Sequence, residues 1–377
     1  MRILQFGKYW SKYGGIETHV KSLCKGLAES GLEVVNLVSS VDNQSNQFEV
    51  DGYTVIESPT LGTIHSTSIA PAMIIDALSY HSKKPIDLIH LHFPDPMSHL
   101  ASMALPAKIP RIITWHSDII KQKHLLKLYR PFQLHAIKKA KAIVAPTQSH
   151  FTSSIQLPRD KSIDQNVIPF GFDFTWLKLT PSIIETVRNI KSQAQGRFIV
   201  FALGRHVEYK GFSVLINAMK YTEALLVLGG EGPLTPLLKK QVSHLGLEDR
   251  IHFTGQLSKN DNAAHFHACD VFCLPSISPN EAFGIVQLEA MSCGKPVICS
   301  QLHNGVNDIN PHMKTGLTVP SFDHTLLADA INKLQNNYEL RELLGSNAKH
   351  HAIQDFSISK MISQHIQLYE VVASSQN

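Results

Sequence analysis

Short and almost uninterrupted apolar runs alternate with helical patterns along the chain, and the alternation occurs twice. The first half contains runs such as ILQF, EVVNLVS and DLIHLH, and the second half contains FIVFALG, ALLVLGG and DVFCLP. A strand that is apolar throughout is typical of a parallel sheet, because helices cover both faces of such a sheet. We therefore predict an α/β fold with two doubly wound domains.

The chain of 377 residues is too long for one ordinary hydrophobic core, which agrees with two domains. Between the two sets of runs, Pro169, Gly171 and Pro181 lie close together, and a new strand pattern begins at Phe198. Proline and glycine at this density interrupt regular structure, so the domain boundary is predicted within residues 172–195. The last helical pattern, FSISKMISQHIQLYEVVA, is apolar on one side and therefore needs a domain to pack on.

The composition is that of a soluble globular protein, with 43% hydrophobic and 18% charged residues. A net charge of +4 is too small to indicate nucleic acid as a partner. The five cysteines lie in apolar surroundings and their number is odd, which favours reduced thiols over a disulfide framework. No apolar run is long enough to span a membrane, and the first residues begin a strand instead of a signal peptide. We predict a cytoplasmic protein.

Metal-binding patterns are weak in this sequence. Cys269 and Cys273 lie near each other, but no CxxC motif or paired Cys/His cluster accompanies them, which argues against zinc. The acidic residues Asp261 and Asp308 stand alone, so no carboxylate pair suited to Mg²⁺ is present. We therefore expect no metal requirement.

A glycine pair, Gly14 and Gly15, follows the first predicted strand and precedes a helical pattern. Glycine lets backbone N–H groups approach an anion, and a helix N-terminus carries partial positive charge. The pair predicts a nearby phosphate, with a plain turn as the alternative because no GxGxxG motif is present.

Polar residues follow two predicted strands of the first half. His116 and Asp118 come directly after the strand RIITW, and His90 and His92 end the preceding one. The carboxyl ends of strands line the ligand crevice in open α/β sheets. We take His116 and Asp118 as candidate site residues, although most of the 21 histidines must be bystanders.

In the second half, Arg205 and Lys210 lie five positions apart in the loop after the first strand. A guanidinium and an ammonium at this spacing can converge on one diphosphate, although basic pairs in loops are usually only solvated. The loop Gly229–Pro233 follows the next strand and keeps the same end of the sheet open.

The most specific motif runs from Pro275 to Ile298. Glu281 and Glu289 bracket the segment Phe283-Gly284-Ile285-Val286, in which the small Gly284 permits close backbone approach to a phosphate at a helix start. One carboxylate could accept hydrogen bonds from sugar hydroxyls and the other from the ribose diol.

A basic stretch extends from Ile119 to Arg159 and contains no Asp or Glu. Its basic residues are Lys121, Lys123, Lys127, Arg130, Lys138, Lys139, Lys141 and Arg159. Apolar residues such as Leu128 and Phe132 lie among them, so the stretch could contact an anionic membrane or an anionic lipid-linked acceptor. The alternative is an ordinary solvated helix face, with Pro131 breaking it into two short helices.

Taken together, these strings resemble glycosyltransferase family 4, a family of retaining enzymes with the GT-B fold. The resemblance covers nearly the whole chain and includes the Gly-Gly loop, the VIPFGFD hinge, the GR…KG loop and PSISPNEAFGIVQLEAMSCGKPVI. It implies two Rossmann-like domains that face each other across a deep cleft. We expect an N-terminal acceptor-side domain of residues 1–175, completed by a returning helix of residues 357–377, and a nucleotide-sugar-binding domain of residues 180–356.

The resemblance also implies roles for the candidate residues. Arg205 and Lys210 would hold the donor diphosphate, Glu281 and the Phe283–Val286 backbone the sugar and phosphate, and Glu289 the ribose. His116 is similar to the N-domain histidine that the family places near the sugar, and Asp118 is a further acceptor-side candidate. Gly14 and Gly15 would lie close to the donor.

The implied reaction is hexosyl transfer from a UDP- or GDP-sugar to a saccharide or lipid-linked acceptor in polysaccharide or lipopolysaccharide synthesis. The leaving phosphate would help to deprotonate the incoming hydroxyl, and Arg205 and Lys210 would stabilise the departing diphosphate without a metal. Two departures from the family pattern are Phe170, where the hinge commonly has asparagine, and the segment Leu302–Asp308, which replaces a GGxPE pattern. Both departures bear on which acceptor and which nucleotide base the enzyme would select.

Rival interpretations use a similar fold. A nucleotide-sugar 2-epimerase would react with the donor alone, and a phosphorylase would need a lysine that binds pyridoxal phosphate, for which the sequence offers no convincing candidate. A non-catalytic nucleotide-sugar-binding protein is a third alternative, because residues that hold a ligand do not prove turnover.

Overall fold

The computed structural model describes residues 1–10, 15–64, 67–119, 123–158 and 163–374. The chain divides into two compact units, one formed by Met1–Gly171 with Ile358–Asn377 and the other by Phe172–Ser357. We call them unit 1 and unit 2. Both contain a parallel sheet with connecting helices, which confirms the predicted α/β class.

Unit 1 contains an eight-stranded sheet in the order β10-β9-β8-β7-β1-β2-β4-β3 and a separate pair, β5-β6. Its strands are β1 Arg2–Tyr9, β2 Glu33–Ser39, β3 Asn46–Val50, β4 Tyr53–Ser58, β5 Gly62–Ile64, β6 Thr67–Ile69, β7 Leu88–Phe93, β8 Arg111–Trp115, β9 Ala142–Ala145 and β10 Asp164–Val167. Within the large sheet only β3 runs antiparallel to its neighbour.

The helices of unit 1 are α1 Gly15–Glu29, α2 Ala72–Lys83, α3 Pro96–Ala104, α4 Lys123–Lys139, α5 Gln148–Ser153 and α14 Ile358–Ser374. Helix α14 packs against α1, and the hydroxyl of its Tyr369 accepts a hydrogen bond of 3.0 Å from Nε2 of Gln5 in β1. Its buried residues Met361, Ile362 and Leu368 share one apolar cluster with Leu23 of α1. The last helix is therefore an integral part of unit 1.

Unit 2 contains a six-stranded, fully parallel sheet in the order β13-β12-β11-β14-β15-β16. Its strands are β11 Ile199–Leu203, β12 Leu225–Gly229, β13 Ile251–Gly255, β14 Val271–Leu274, β15 Val297–Ser300 and β16 Gly316–Val319. Its helices are α6 Pro181–Ala194, α7 Phe212–Ala218, α8 Thr235–His244, α9 Lys259–Ala268, α10 Ile285–Ser292, α11 Gly305–Ile309, α12 His324–Asn336 and α13 Tyr338–Asp355.

The strand order of unit 2 reverses between β11 and β14. The strands after β11 extend the sheet on one side, whereas β14 lies on the other side of β11. The loops that follow β11 and β14 therefore leave the sheet side by side in opposite directions, which opens a crevice at their carboxyl ends. Unit 1 has the same reversal between β1 and β7.

Helix α4 continues through Pro131 as one helix, so the proline does not divide it into two. Proline removes one backbone donor but is accommodated within the seventeen residues of this helix. Among the residues that the structure describes, no helix combines the length and the apolar character that crossing a bilayer requires.

Candidate active site

A pocket of about 510 Å³ opens in unit 2 at the carboxyl ends of β11 and β14. Its walls consist of Leu203, Gly204, Lys210, Glu281, Phe283, Gly284, Ile285, Val286 and Glu289. The volume lies within the usual range for small-ligand sites. The structure thus brings together both predicted glutamates, the predicted lysine and the whole Phe283–Val286 segment.

Lys210 and Glu281 form an ion pair inside this pocket. The Lys210 Nζ atom lies 2.6 Å from Oε2 of Glu281, and the two side chains are 12% and 10% exposed. The hydroxyl of Ser276 donates a second hydrogen bond of 3.0 Å to the same oxygen. The amide side chain of Asn304 donates to the backbone carbonyl of Glu281 at 2.8 Å, which fixes the loop that carries the carboxylate.

The loop after β11 holds Lys210 in place by close contact with the loop after β14. Gly211 has a φ of +68°, and a Cβ atom there would lie 2.0 Å from the carbonyl oxygen of Pro275. The backbone N–H of Ile277 donates to the carbonyl of Tyr209 at 2.8 Å. Only glycine satisfies both the left-handed backbone and the close approach at this position, which explains the Lys-Gly sequence.

Gly284 starts helix α10 and directs its N-terminus at the pocket. Its φ is +67°, and no side chain caps the helix. The amide of Gln287 donates to the carbonyl of Phe283 at 3.0 Å and so anchors the preceding turn. The first N–H groups of a helix have no intrahelical acceptor, so this helix start can receive an anionic oxygen.

Glu289 lies in the second turn of α10, on the pocket wall. Burial raises the pKa of its carboxyl group to about 7, and the positive charge of Lys259 opposes this shift only in part. A carboxyl group with a pKa near neutrality changes its charge in response to a bound ligand.

Arg205 does not line the pocket, and its side chain is exposed to solvent. Gly15 is the exposed first residue of α1 in unit 1, and Gly14 falls outside the described residues. The basic residues Lys121 and Arg159 also fall outside them.

In unit 1, His116 follows β8 directly and is 8% exposed. Burial, followed by the nearby His150 and His365, lowers the pKa of its imidazole to about 3. The neighbouring Asp118 has another role in the fold. Its carboxylate accepts hydrogen bonds from Trp115 Nε1 at 3.1 Å, the Ser154 hydroxyl at 2.6 Å and the Ile155 N–H at 2.8 Å, and thus holds two segments together.

Around His116 the structure gathers a buried histidine cluster that sequence reasoning missed. Its members are His19, His90, His92, His116 and His365. His92 Nδ1 lies 3.1 Å from His116 Nε2. The sequence contained one signal for His19. It lies on the first helix, four residues after Gly15, and this helix follows β1, beside which the strand order reverses.

Phe170, one of the two departures from the family pattern, packs on this cluster. Its ring centroid lies 4.7 Å from that of His19 and 5.3 Å from that of His116, and it stacks on the second ring with an interplanar angle of 24°. The aromatic residue at this position therefore covers two histidines.

Two family descriptions match this chain, one in each half. "Glycosyltransferase Family 4" matches residues 13–173, and "Glycosyl transferases group 1" matches residues 183–351. The O-antigen chain mannosyltransferase C of Escherichia coli is 30% identical over 100% of both chains. The chain belongs to glycosyltransferase family 4. It is a transferase, as the sequence motifs predicted.

Another relative of this transferase is the D-rhamnosyltransferase WbpZ of Pseudomonas aeruginosa, 30% identical over 93% of this chain and 90% of that one. The phosphatidyl-myo-inositol mannosyltransferase of Mycobacterium leprae is 30% identical over 96% of this chain and 94% of that one. All three relatives therefore match this chain along most of its length.

Solved structures show the fold. Sucrose-phosphate synthase from Thermosynechococcus elongatus matches with a TM-score of 0.75 at 22% identity and 99% coverage of both chains. Anabaena Alr3699/HepE, solved in complex with UDP, matches with a TM-score of 0.74 at 23% identity, over 98% of this chain and 100% of that one. The predicted GT-B fold is confirmed.

Proposed function

We propose that this transferase moves a hexosyl group from a UDP- or GDP-sugar to a saccharide or lipid-linked acceptor, with retention of anomeric configuration. The observation that carries the proposal is the pocket of unit 2, where the Lys210–Glu281 pair, the start of α10 and Glu289 surround one volume. This combination offers a cation and backbone donors for phosphates, and two carboxylates for hydroxyl groups.

Lys210 is proposed to bind the donor diphosphate. In the structure its ammonium is paired with Glu281, so an incoming phosphate would share or replace that contact. The exposed guanidinium of Arg205, five residues earlier, is proposed to close onto the same diphosphate from the solvent side. Arginine binds phosphate as a fork and lysine as a point charge, so the two contacts are complementary.

The remaining pocket residues are proposed to hold the two sugars. Glu281 would accept hydrogen bonds from the hydroxyls of the transferred sugar, while the N–H groups at the start of α10, next to Gly284, would bind phosphate oxygens. Glu289 would accept from the ribose diol, because its carboxylate lies one helical turn further along the same wall. His116 is assigned the contact with the transferred sugar that the family resemblance implies.

For the chemical step we propose a front-face displacement. The bond between the anomeric carbon and the diphosphate oxygen breaks as the acceptor oxygen approaches from the same face, and the leaving phosphate takes the proton of the acceptor hydroxyl. Negative charge grows on the diphosphate, where Lys210 and Arg205 would stabilise it without a metal ion.

The names of the three relatives narrow the range of transferred sugars and acceptors that we propose. Two of them are named mannosyltransferases and one a D-rhamnosyltransferase, and D-rhamnose is 6-deoxy-D-mannose. We therefore propose a mannosyl or 6-deoxymannosyl group as the transferred sugar. The first relative builds an O-antigen chain, which supports a growing cell-surface polysaccharide as the acceptor.

The surface of helix α4 supports a peripheral position on the inner face of the cytoplasmic membrane. Leu128 and Phe132 are 75% and 45% exposed and lie four residues apart on the helix. The exposed basic residues Lys127, Lys138 and Lys139 belong to the same helix. Exposed apolar side chains among lysines are suited to an anionic lipid surface, where a lipid-linked acceptor would be found.

The proposed function is tested with purified protein in two steps. A thermal-shift panel of nucleoside diphosphates identifies the base, because a ligand that binds only the native state raises the unfolding temperature. Transfer is then measured with the matching mannosyl donor, and NMR of the product gives the anomeric configuration. An epimeric sugar formed from donor alone would establish an epimerase instead, and an inverted product would overturn the retaining mechanism.

A further inference from the structure

Three buried histidines of unit 1 converge from three different elements. His19 lies in the second turn of α1, His92 in β7, and His116 directly after β8. We call them the histidine trio. Their ring centroids form a nearly equilateral triangle, with sides of 5.6 Å from His19 to His92, 5.4 Å from His19 to His116 and 5.4 Å from His92 to His116.

This triangle has the dimensions of three imidazoles on one metal ion. A tetrahedral Zn²⁺ holds each imidazole nitrogen at about 2.0–2.1 Å, and the ring centroid lies about 1.1 Å further out, so centroids are about 5.2 Å apart. One ring nitrogen from each member of the trio lies within 4.8 Å of the others. Nitrogens on one tetrahedral ion lie about 3.3 Å apart, so binding requires side-chain rotations that bring the three rings closer and a tautomer of His116 that turns a lone pair to the common centre.

His19 points independently to a ligand in this space. Its side chain is buried, with 5% exposure, and neither ring nitrogen has a hydrogen-bond partner among the described residues. Buried polar groups are almost always paired, so a nitrogen in this position needs an explanation. An ion bound between the rings would supply the missing partner.

The surroundings of His92 orient one of its lone pairs toward the trio. Gln5 donates through Nε2 to the hydroxyl of Tyr369 at 3.0 Å, and its Oε1 lies 3.0 Å from Nε2 of His92. A carbonyl oxygen can only accept, so Nε2 of His92 carries the hydrogen and Nδ1 keeps its lone pair toward His116. A hydrogen bond from the outer ring nitrogen to a carbonyl is the usual arrangement of a metal-bound histidine.

We propose that the histidine trio is a binding site for a divalent transition-metal ion of the Zn²⁺ class. Three imidazoles without a carboxylate favour Zn²⁺, Cu²⁺, Ni²⁺ or Co²⁺ over Mg²⁺ and Ca²⁺, which prefer oxygen ligands. A water molecule or hydroxide completes the coordination. The trio belongs to unit 1 and the donor pocket to unit 2, and His116 is the one member of the trio to which the proposed transfer assigns a role.

A metal ion bound by the trio would occupy a ring nitrogen of His116. A histidine whose ring nitrogen ligates a metal ion cannot use that nitrogen for a substrate, so Zn²⁺ should inhibit transfer and a chelator should restore it. Only this consequence rests on the proposed function. Binding is measured without any substrate, so failure of the transferase assignment and failure of the metal site give different results.

The test uses the full chain after treatment with a chelator and titrates it with Co²⁺ as a spectroscopic probe. We expect the intense visible absorption of four-coordinate Co²⁺ at one equivalent, and its loss when Zn²⁺ is added. His19→Ala and His92→Ala should lose this absorption. His135→Ala replaces an exposed histidine of the same unit and should keep it. Identical spectra for wild type and His19→Ala, or no four-coordinate spectrum in wild type, would overturn the proposal.

A second measurement covers the case in which a histidine variant does not fold. X-ray absorption at the zinc edge of the wild-type chain with one equivalent of Zn²⁺ should give a nitrogen shell with the multiple scattering of three imidazoles. A shell dominated by oxygen, or by one imidazole, would mean that the ion binds elsewhere and would refute the site. Gln5→Leu removes the orienting carbonyl and should weaken Zn²⁺ binding about 10–100-fold.

Discussion

The Nζ atom of Lys210 lies 2.6 Å from Oε2 of Glu281, and nearly nine-tenths of each side chain is buried. Removal of one partner from a buried pair leaves an uncompensated charge and costs about 3–5 kcal/mol. We expect Lys210→Met to lower the free energy of unfolding by an amount in this range. The same variant should lose most transfer, because the departing diphosphate loses its cation. Chemical denaturation and a transfer assay measure the two effects.

The double variant Lys210→Met with Glu281→Gln separates stability from function. Neither position then carries a buried charge, so we expect the free energy of unfolding to recover most of the loss while transfer stays absent. Wild-type transfer by the double variant would contradict the assignment of both residues to the donor site. A double variant no more stable than Lys210→Met alone would contradict the ion pair.

Glu289 should make nucleoside diphosphate binding dependent on pH. Burial raises the pKa of this carboxyl from 4.5 to about 7 in the folded protein. The stability that its neutral form provides is complete below pH 4.5 and is lost as the pH rises through about 7. Ribose hydroxyls donate more strongly to the ionised form of Glu289. The Kd of the nucleoside diphosphate should therefore decrease as the pH rises from about 6 to about 8.

Isothermal titration of the nucleoside diphosphate across this pH range checks the prediction. Glu289→Gln should bind more weakly at the upper end and should lose the pH dependence. Glu223→Gln replaces an exposed glutamate of the same unit and should leave the binding curve unchanged. A pH dependence that persists in Glu289→Gln would assign the titration to another group.

Gly284 and Gly246 allow a matched test of the helix start in the pocket. Their φ angles are +67° and +64°, but a Cβ atom at Gly284 would lie 2.6 Å from Leu274 Cδ2, whereas none lies within 4 Å at Gly246. Gly246→Ala should cost about 1–2 kcal/mol through backbone strain alone. Gly284→Ala should cost more and also weaken nucleoside diphosphate binding, because α10 has to shift.

Thermal unfolding and ligand titration of both alanine variants provide the comparison. Equal losses of stability would show that the contact with Leu274 is relaxed without cost. Unchanged nucleoside diphosphate affinity in a folded Gly284→Ala protein would remove the start of α10 from the proposed donor site.

Helix α4 should bind anionic but not neutral vesicles, and more weakly at high salt, because its lysines interact with lipid charge. Replacement of Lys127, Lys138 and Lys139 by glutamine should release the protein in a co-sedimentation assay. The same replacement of Lys220, Lys239 and Lys240 in unit 2 removes an equal charge and should leave binding intact. If both triple variants are released equally, vesicle binding depends on the net charge of the protein and not on the surface of helix α4.

The apolar part of the same surface has its own prediction. Leu128 and Phe132 are exposed, so Leu128→Gln with Phe132→Gln should weaken vesicle binding without a loss of stability. Circular dichroism on heating measures the stability of this variant. Wild-type vesicle binding by the variant would leave only an electrostatic contact with lipid.

Much of this architecture was predictable because it depends on local patterns. Continuous apolar runs gave the buried parallel strands, and Lys210, Glu281 and Glu289, which the sequence motifs selected, all line one pocket. Parallel strands end at the same edge of a sheet, so loops far apart in sequence meet there without any further information.

Pairings between distant segments were not predictable. The ion pair of Lys210 joins residues 71 positions apart, and nothing in either motif encodes its burial. From the sequence, Asp118 is a candidate for binding a substrate. In the folded unit, however, Ser154 and Ile155 donate hydrogen bonds to its carboxylate. The importance of His19 was not predictable either, because it depends on ring contacts with His92 and His116 that exist only in the folded unit.

The chain leaves unit 1 at Gly171 and returns to it at Ile358, which has a consequence for biosynthesis. A ribosome that has completed residues 1–171 has not yet made the helix that covers α1 and supplies Tyr369. While all of unit 2 is synthesised, the apolar cluster of unit 1 therefore lacks the residues that this last helix contributes. Unit 2 is continuous in sequence and can fold first, although it is made second.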